Sequence, residues 1–130
     1  MPPEMKRLTI NQAIIAEMDQ EAVATRNLIN VIPEDKLDWR PHAKGKSLGE
    51  LAMHIAGLQG NVAQLADMDE APRPNFPPDP IPAGCAEILS AFEDSLKKAK
   101  EIVDATSEER LYTDWKMVDG DKVLFAAPRA

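Results

Sequence analysis

The 130-residue sequence predicts an all-α fold: three long helices of a four-helix, up-and-down type bundle, closed by a short C-terminal hairpin or extended arm. Two observations lead there. Apolar residues recur every three or four positions in three separate stretches, the periodicity of one helical face. Residues of strand character gather only near the C-terminus, around Asp119-Gly120.

The first stretch runs from Met5 to about Ile32, with Met5, Leu8, Ile15, Met18, Ala22, Ile29 and Ile32 on one face. Pro33 ends it, because its ring disfavours helical geometry at Ile32 and removes a backbone donor. Leu37-Asp38-Trp39-Arg40-Pro41 reads as extended, with Leu37 and Trp39 placed to cap one end of the core. A second start is written at Ser47-Leu48-Gly49-Glu50, where the serine hydroxyl can accept from the Glu50 amide while the Glu50 side chain reaches back. Leu48, Leu51, Ile55, Leu58, Val62 and Leu65 then share a face to about Met68. Gly49, Gly57 and Gly60 each weaken this helix by roughly 1 kcal/mol relative to alanine, and are expected to permit close helix contact.

Residues 71–82, "APRPNFPPDPIP", hold six prolines and predict a stiff, extended connector. Pro74 and Pro77 also spell a PxxP ligand, a weaker reading than a crossover loop. From Gly84 onward, Cys85, Ile88, Leu89, Phe92, Leu96, Ala99 and Val103 make the cleanest stripe in the chain, a third helix ending near Thr106. Ser107-Glu108-Glu109 reads as a polar break. Residues 111–125 follow, with Asp119-Gly120 as a two-residue hairpin turn.

Length and an apolar content of 44% fit one domain over residues 1–130. A formal charge of −7 with scattered Lys and Arg argues against a grip on phosphate backbones, and two Trp, one Tyr and three Phe are too few for a base-stacking platform. No run of about 18 apolar residues could cross a bilayer, and Met1-Pro2-Pro3-Glu4 begins no signal peptide. With Cys85 the single cysteine, no intrachain disulfide framework exists. The expectation is a cytoplasmic protein with neither nucleic acid nor membrane as partner.

Of the two histidines, His54 shares a helical strip with Leu51 and Leu58, so its ring should point to the interior or its edge. A zinc-type centre needs three protein ligands plus water, or four ligands, and one histidine supplies neither. A core-edge histidine bonded to a carbonyl or carboxylate is the plainer reading. His42 falls in a polar loop and reads as a surface residue. Asp67, Asp69 and Glu70 lie roughly 20 Å beyond His54 along the helix, too far to share an ion with it, and Asp114 beside Trp115 has no predictable path. Cys85 sits near a helix start, where the dipole could lower its pKa, but a small buried cysteine on the stripe is the plainer reading. There is no G-x-S-x-G elbow and no complete phosphate-binding loop around Gly45. Lys97-Lys98-Ala99-Lys100 reads as the solvated face of the third helix.

Trp39, Pro41, Ser47, Glu50, Leu51 and His54, within "LDWRP" and "SLGELAMHIAGL", together with the proline connector and the third helix, resemble the DinB family of four-helix bundles, also called YfiT-like. The resemblance implies that His54 is one of three metal ligands, for nickel, zinc or iron, and that the other two lie on a fourth helix with three residues between them, as H-x-x-x-H. It also implies hydrolase, thiol-transferase or isomerase chemistry on small molecules. The sequence reaches Pro128-Arg129-Ala130 about where that helix would begin, so the chain is expected to be C-terminally incomplete relative to the family, and a divalent metal would need ligands from elsewhere.

Three amphipathic helices of a four-helix core should leave an apolar groove. If some 500 Å² lay open, the forgone stabilisation would be on the order of 12 kcal/mol, comparable with the stability of a domain. Self-association is therefore expected, as a two-fold dimer or by exchange of the Leu111–Phe125 arm. Two functions compete: a noncatalytic oligomeric or small-molecule-binding module, and a metal-dependent enzyme using His54. A proline-motif adaptor acting through residues 72–82 is a third.

Overall fold

A computed structural model describes residues 7–130. The chain is mostly helical, with a small sheet toward its C-terminus. The expected start of the first helix at Met5 lies outside the described residues; Leu8 is exposed, and α1 spans Ile10–Asn30. It begins there because Thr9 and Gln12 form a reciprocal cap, the Gln12 amide donating to Thr9 Oγ1 (3.2 Å) and the Thr9 amide to Gln12 Oε1 (3.0 Å). Within the same turn, buried Asn11 donates from Nδ2 to the carbonyls of Val103 (2.7 Å) and Thr106 (2.6 Å), tying the start of α1 to the far end of α3.

After Pro33 comes a single 3-10 turn, Glu34–Lys36. Leu37 is buried as expected, whereas Trp39 is exposed and caps nothing. Backbone amides at the start of α2 (Leu48–Asp67) are met by this segment: Leu48 N–H donates to Trp39 O and Gly49 N–H to Leu37 O. The Ser47–Glu50 cap forms as read, at 3.1 and 3.2 Å. Gly49 also allows close approach, since a Cβ there would stand 2.9 Å from Pro82 Cδ.

The third helix, α3 (Cys85–Ala105), packs against both α1 and α2. Its large side chains Ile88, Phe92 and Leu96 are buried against Ala22 and Ile29 of α1 and Ala52 and Ala56 of α2. Here the reading of α2 needs correction. Its buried face is Gly49, Ala52, Ala56, Gly60 and Ala63, while Leu51, Ile55, Leu58 and Val62 are exposed. Small residues let the two backbones close up: Gly60 N–H donates to Ser95 Oγ at 2.8 Å, and a Cβ at Gly60 would sit 2.9 Å from that oxygen.

The all-α expectation holds only for the helical body. The polar break at 107–109 is one helical turn, α4 (Glu108–Leu111), capped by Ser107. The arm beyond it is a hairpin, β2 (Asp114–Asp119) and β3 (Lys122–Pro128), and β2 pairs in parallel with an unpredicted strand, β1 (Glu70–Pro72), through Glu70↔Lys116, Ala71↔Met117 and Pro72↔Val118. The order is β1-β2-β3. Its turn lies one residue later than read, at Gly120-Asp121, and only Gly120 has positive φ (58°), as a type II′ turn requires.

The hairpin docks on its own chain by satisfying the carbonyls that end α2, four of which no helix can pair internally. Trp115 Nε1 donates to Leu65 O (2.8 Å), Arg129 to Ala66 O (3.0 Å) and Met68 O (3.1 Å), and Arg110 to Asp67 O. Among the described residues no helix is long and apolar enough to cross a membrane.

Candidate functional site

Two concave regions flank the exposed ridge of α2. The first is a cleft of about 540 Å³ between α2 and the connector, with Phe76 and Pro77 along it and Lys46, His54 and Asp79 at one end. His54 is half-exposed on the edge of the ridge, and its Nδ1 lies 3.3 Å from Asp79 Oδ1. With the ring proton on Nδ1 the imidazole donates to that carboxylate, the satisfied-histidine arrangement read above. The other carboxylate oxygen is paired with Lys46, just ahead of the α2 cap. Burial pushes the Asp79 carboxyl up, but the hydrogen bond and charge of Lys46, then those of His54, outweigh it and hold Asp79 below the usual carboxylate range.

This donor set does not fit a zinc-type centre. His54 and Asp79 are two ligand atoms where at least three are needed, and an ammonium already occupies the carboxylate. Among the described residues no three His, Cys, Asp or Glu side chains converge. His42 stays in its loop, exposed, with Nδ1 accepting from the Lys44 amide at 3.1 Å. Asp67 and Asp69 are engaged by Arg110 at 3.0 and 3.3 Å. Asp114 is exposed, in register with Pro128. The helix-start idea for Cys85 is corrected: burial and the neighbouring Glu34 carboxylate push the thiol up, away from thiolate, and Sγ donates to Ile32 O (3.3 Å).

The second region is a groove of about 390 Å³ on the opposite side of the ridge, where α1, α2 and α3 leave a trough. Ile14 and Met18 form one wall, Leu58 and Val62 the other, and Ile102 and Val103 the floor. Gln59 also lines it; its amide oxygen is buried, and no group among the described residues donates to it. An apolar trough with one unmet acceptor suits an apolar molecule bearing one hydrogen-bond donor.

A family model described as the DinB superfamily matches residues 17–121. The chain belongs to the DinB superfamily. The matched span includes His54, Asp79 and Gln59, and leaves Arg129 outside. Searches among curated proteins and among solved structures returned no match. Within this DinB-superfamily chain, the described residues that follow α3 make one helical turn and a hairpin, so the two fourth-helix ligands implied by the resemblance have no counterparts there.

Sequence reasoning missed three residues at these sites. Asp79 was absorbed into the proline connector, and nothing local links it to a histidine 25 positions earlier. Arg129 offered no signal, because its partners are carbonyls brought near by the hairpin. Gln59 did offer one: it adjoins Leu58 and the buried Gly60 on a helix otherwise rich in apolar residues.

Proposed function

We propose that this DinB-superfamily chain is a noncatalytic module that binds a small apolar molecule in the groove between α1, α2 and α3. The observation that carries this reading is Gln59: a buried amide oxygen with no donor among the described residues, set in a trough lined mostly by aliphatic side chains, with Asp67, Thr106 and Arg129 also on its lining. Leaving such an acceptor unmet costs about 1–3 kcal/mol, and a ligand N–H or O–H would recover it. The alternative, a metal-dependent enzyme built on His54, asks for at least one ligand beyond His54 and Asp79, and Lys46 already pairs with that carboxylate. Self-association would use the adjoining ridge, whose Leu58 and Val62 also wall the groove.

A neutral, flat fluorophore with one donor, 1-aminoanthracene, tests the reading. Saturable binding is expected, with anthracene, which lacks the amine, binding roughly fivefold more weakly. Gln59→Leu should remove that preference, and Ile14→Trp, which fills the groove, should abolish binding of both. Absence of saturable binding, or an unchanged preference in Gln59→Leu, would sink the proposal.

A further inference from the structure

The exposed ridge of α2 has a spacing of its own. Leu51, Ile55, Leu58, Val62 and Leu65 follow one another at four, three, four and three residues, the alternation of a two-stranded coiled-coil seam. Leucine occupies one class of seam position and the β-branched Ile55 and Val62 the other, the combination that favours pairing of two helices. From Leu51 to Ala66 the helix carries no Asp, Glu, Lys or Arg, although 28% of the chain is charged. Solvated helix faces carry charge; the buried centres of interfaces are depleted of it.

We infer that this ridge is the contact surface for a second copy of the same chain, in a two-fold dimer seamed along α2. The first four seam residues, Leu51, Ile55, Leu58 and Val62, are 39–54% exposed, which leaves on the order of 200 Å² of aliphatic surface at about 100 Å² per large side chain. Val62 and Leu65 continue into the hairpin face, where they line a hollow with Trp115, Met117 and Phe125; these add roughly as much again. A stable interface of standard size buries about 800 Å² on each partner, and in homodimers about 65% of the buried area is apolar. The apolar surface available, about 400 Å² on this reckoning, approaches the roughly 520 Å² that this implies, and His54 and Asn61 flank it. A second copy suits this surface because two-fold symmetry sets an uncharged seam against itself, so no charge is stripped of water. The chain's net charge of −7 opposes the rival occupant, an anionic lipid surface.

Sedimentation equilibrium of the full chain at concentrations on the order of 10 µM should give twice the 14.3 kDa protomer mass. Ile55→Glu, which lines neither the groove nor the cleft, should weaken association roughly a hundredfold while the far-ultraviolet dichroism stays unchanged. In a Cys85→Ala background, Leu58→Cys should oxidise to a cross-linked dimer, because residue 58 lies at the middle of the seam in either helix orientation. A monomeric parent chain would overturn the inference, as would a dimer indifferent to Ile55→Glu. A monomer that still binds 1-aminoanthracene would overturn it while leaving the groove reading intact.

Discussion

The two faces of α2 are built from opposite materials. One is glycine and alanine, fully packed against α3; the other is leucine, isoleucine and valine, open to solvent. Side-chain size therefore runs contrary to burial along this helix. The explanation lies in α3, which supplies the volume: Ile88, Phe92 and Leu96 fill the space that the small residues of α2 leave, so the backbones approach closely and the packing is dense. The large residues of α2 have no counterpart among the described elements, and their open surface is where an interaction would be gained.

The sharpest way to break this comparison is to exchange the materials. Phe92→Ala, which empties the position opposing Ala52 and Ala56, should lower stability by about 4 kcal/mol in urea unfolding. Gly60→Val should cost about 2 kcal/mol, since the added carbons meet the Ser95 backbone at 3.2–3.3 Å as well as its hydroxyl. Leu51→Ala on dilute, monomeric protein should change stability by no more than about 0.5 kcal/mol, although it removes as many carbons as Gly60→Val adds. A large loss from Leu51→Ala in the monomer would reverse the assignment of the two faces.

How much of this was legible follows from how far apart the interacting residues stand. The Ser47–Glu50 cap and the stop at Pro33 are local chemistry, and both were readable. The equally local Thr9–Gln12 cap was passed over because the apolar pattern continued upstream to Met5. The buried face of α2 was misjudged for a different reason: Gly49, Ala52, Ala56, Gly60 and Ala63 recur with the same spacing as the leucine ridge, and periodicity alone does not say which of two parallel stripes meets a neighbour. Strand β1 is three residues long and exists through pairing with residues 116–118, a partner no local window contains. The same distance hid Asp79 from His54, so the candidate site was legible only as a lone imidazole at the edge of a ridge.

A second test sharpens the boundary between the ridge and the hairpin. Arg129, with a side chain only 5% exposed, holds the end of α2 through Ala66 O and Met68 O and reaches Thr113 Oγ1 at 2.5 Å. Arg129→Ala should cost about 2 kcal/mol, because charge-assisted bonds to otherwise unpaired carbonyls are lost together. Amide exchange should then accelerate in β2 and β3 but not in α3. Uniform acceleration would show that the hairpin and the helices open as one unit.

A small effect belongs to the connector beside the ridge, where Asp79 joins Lys46 and His54. Its folded-state pKa is depressed, so the unfolded chain binds more protons than the folded one as pH falls through the carboxylate range. The stability it contributes is fully present above the ordinary carboxylate pKa of about 3.9 and disappears as pH drops through the lower folded value. Lys46 is 45% exposed, so solvent screens the pair and the contribution should stay below about 1 kcal/mol. Comparing thermal unfolding of the parent with Asp79→Asn from neutral to acid pH measures it: a small advantage for the parent at neutral pH, gone in strong acid. If the advantage instead grew with acidity, the carboxylate would be held protonated, and the connector would be anchored by something other than the Lys46–Asp79–His54 cluster.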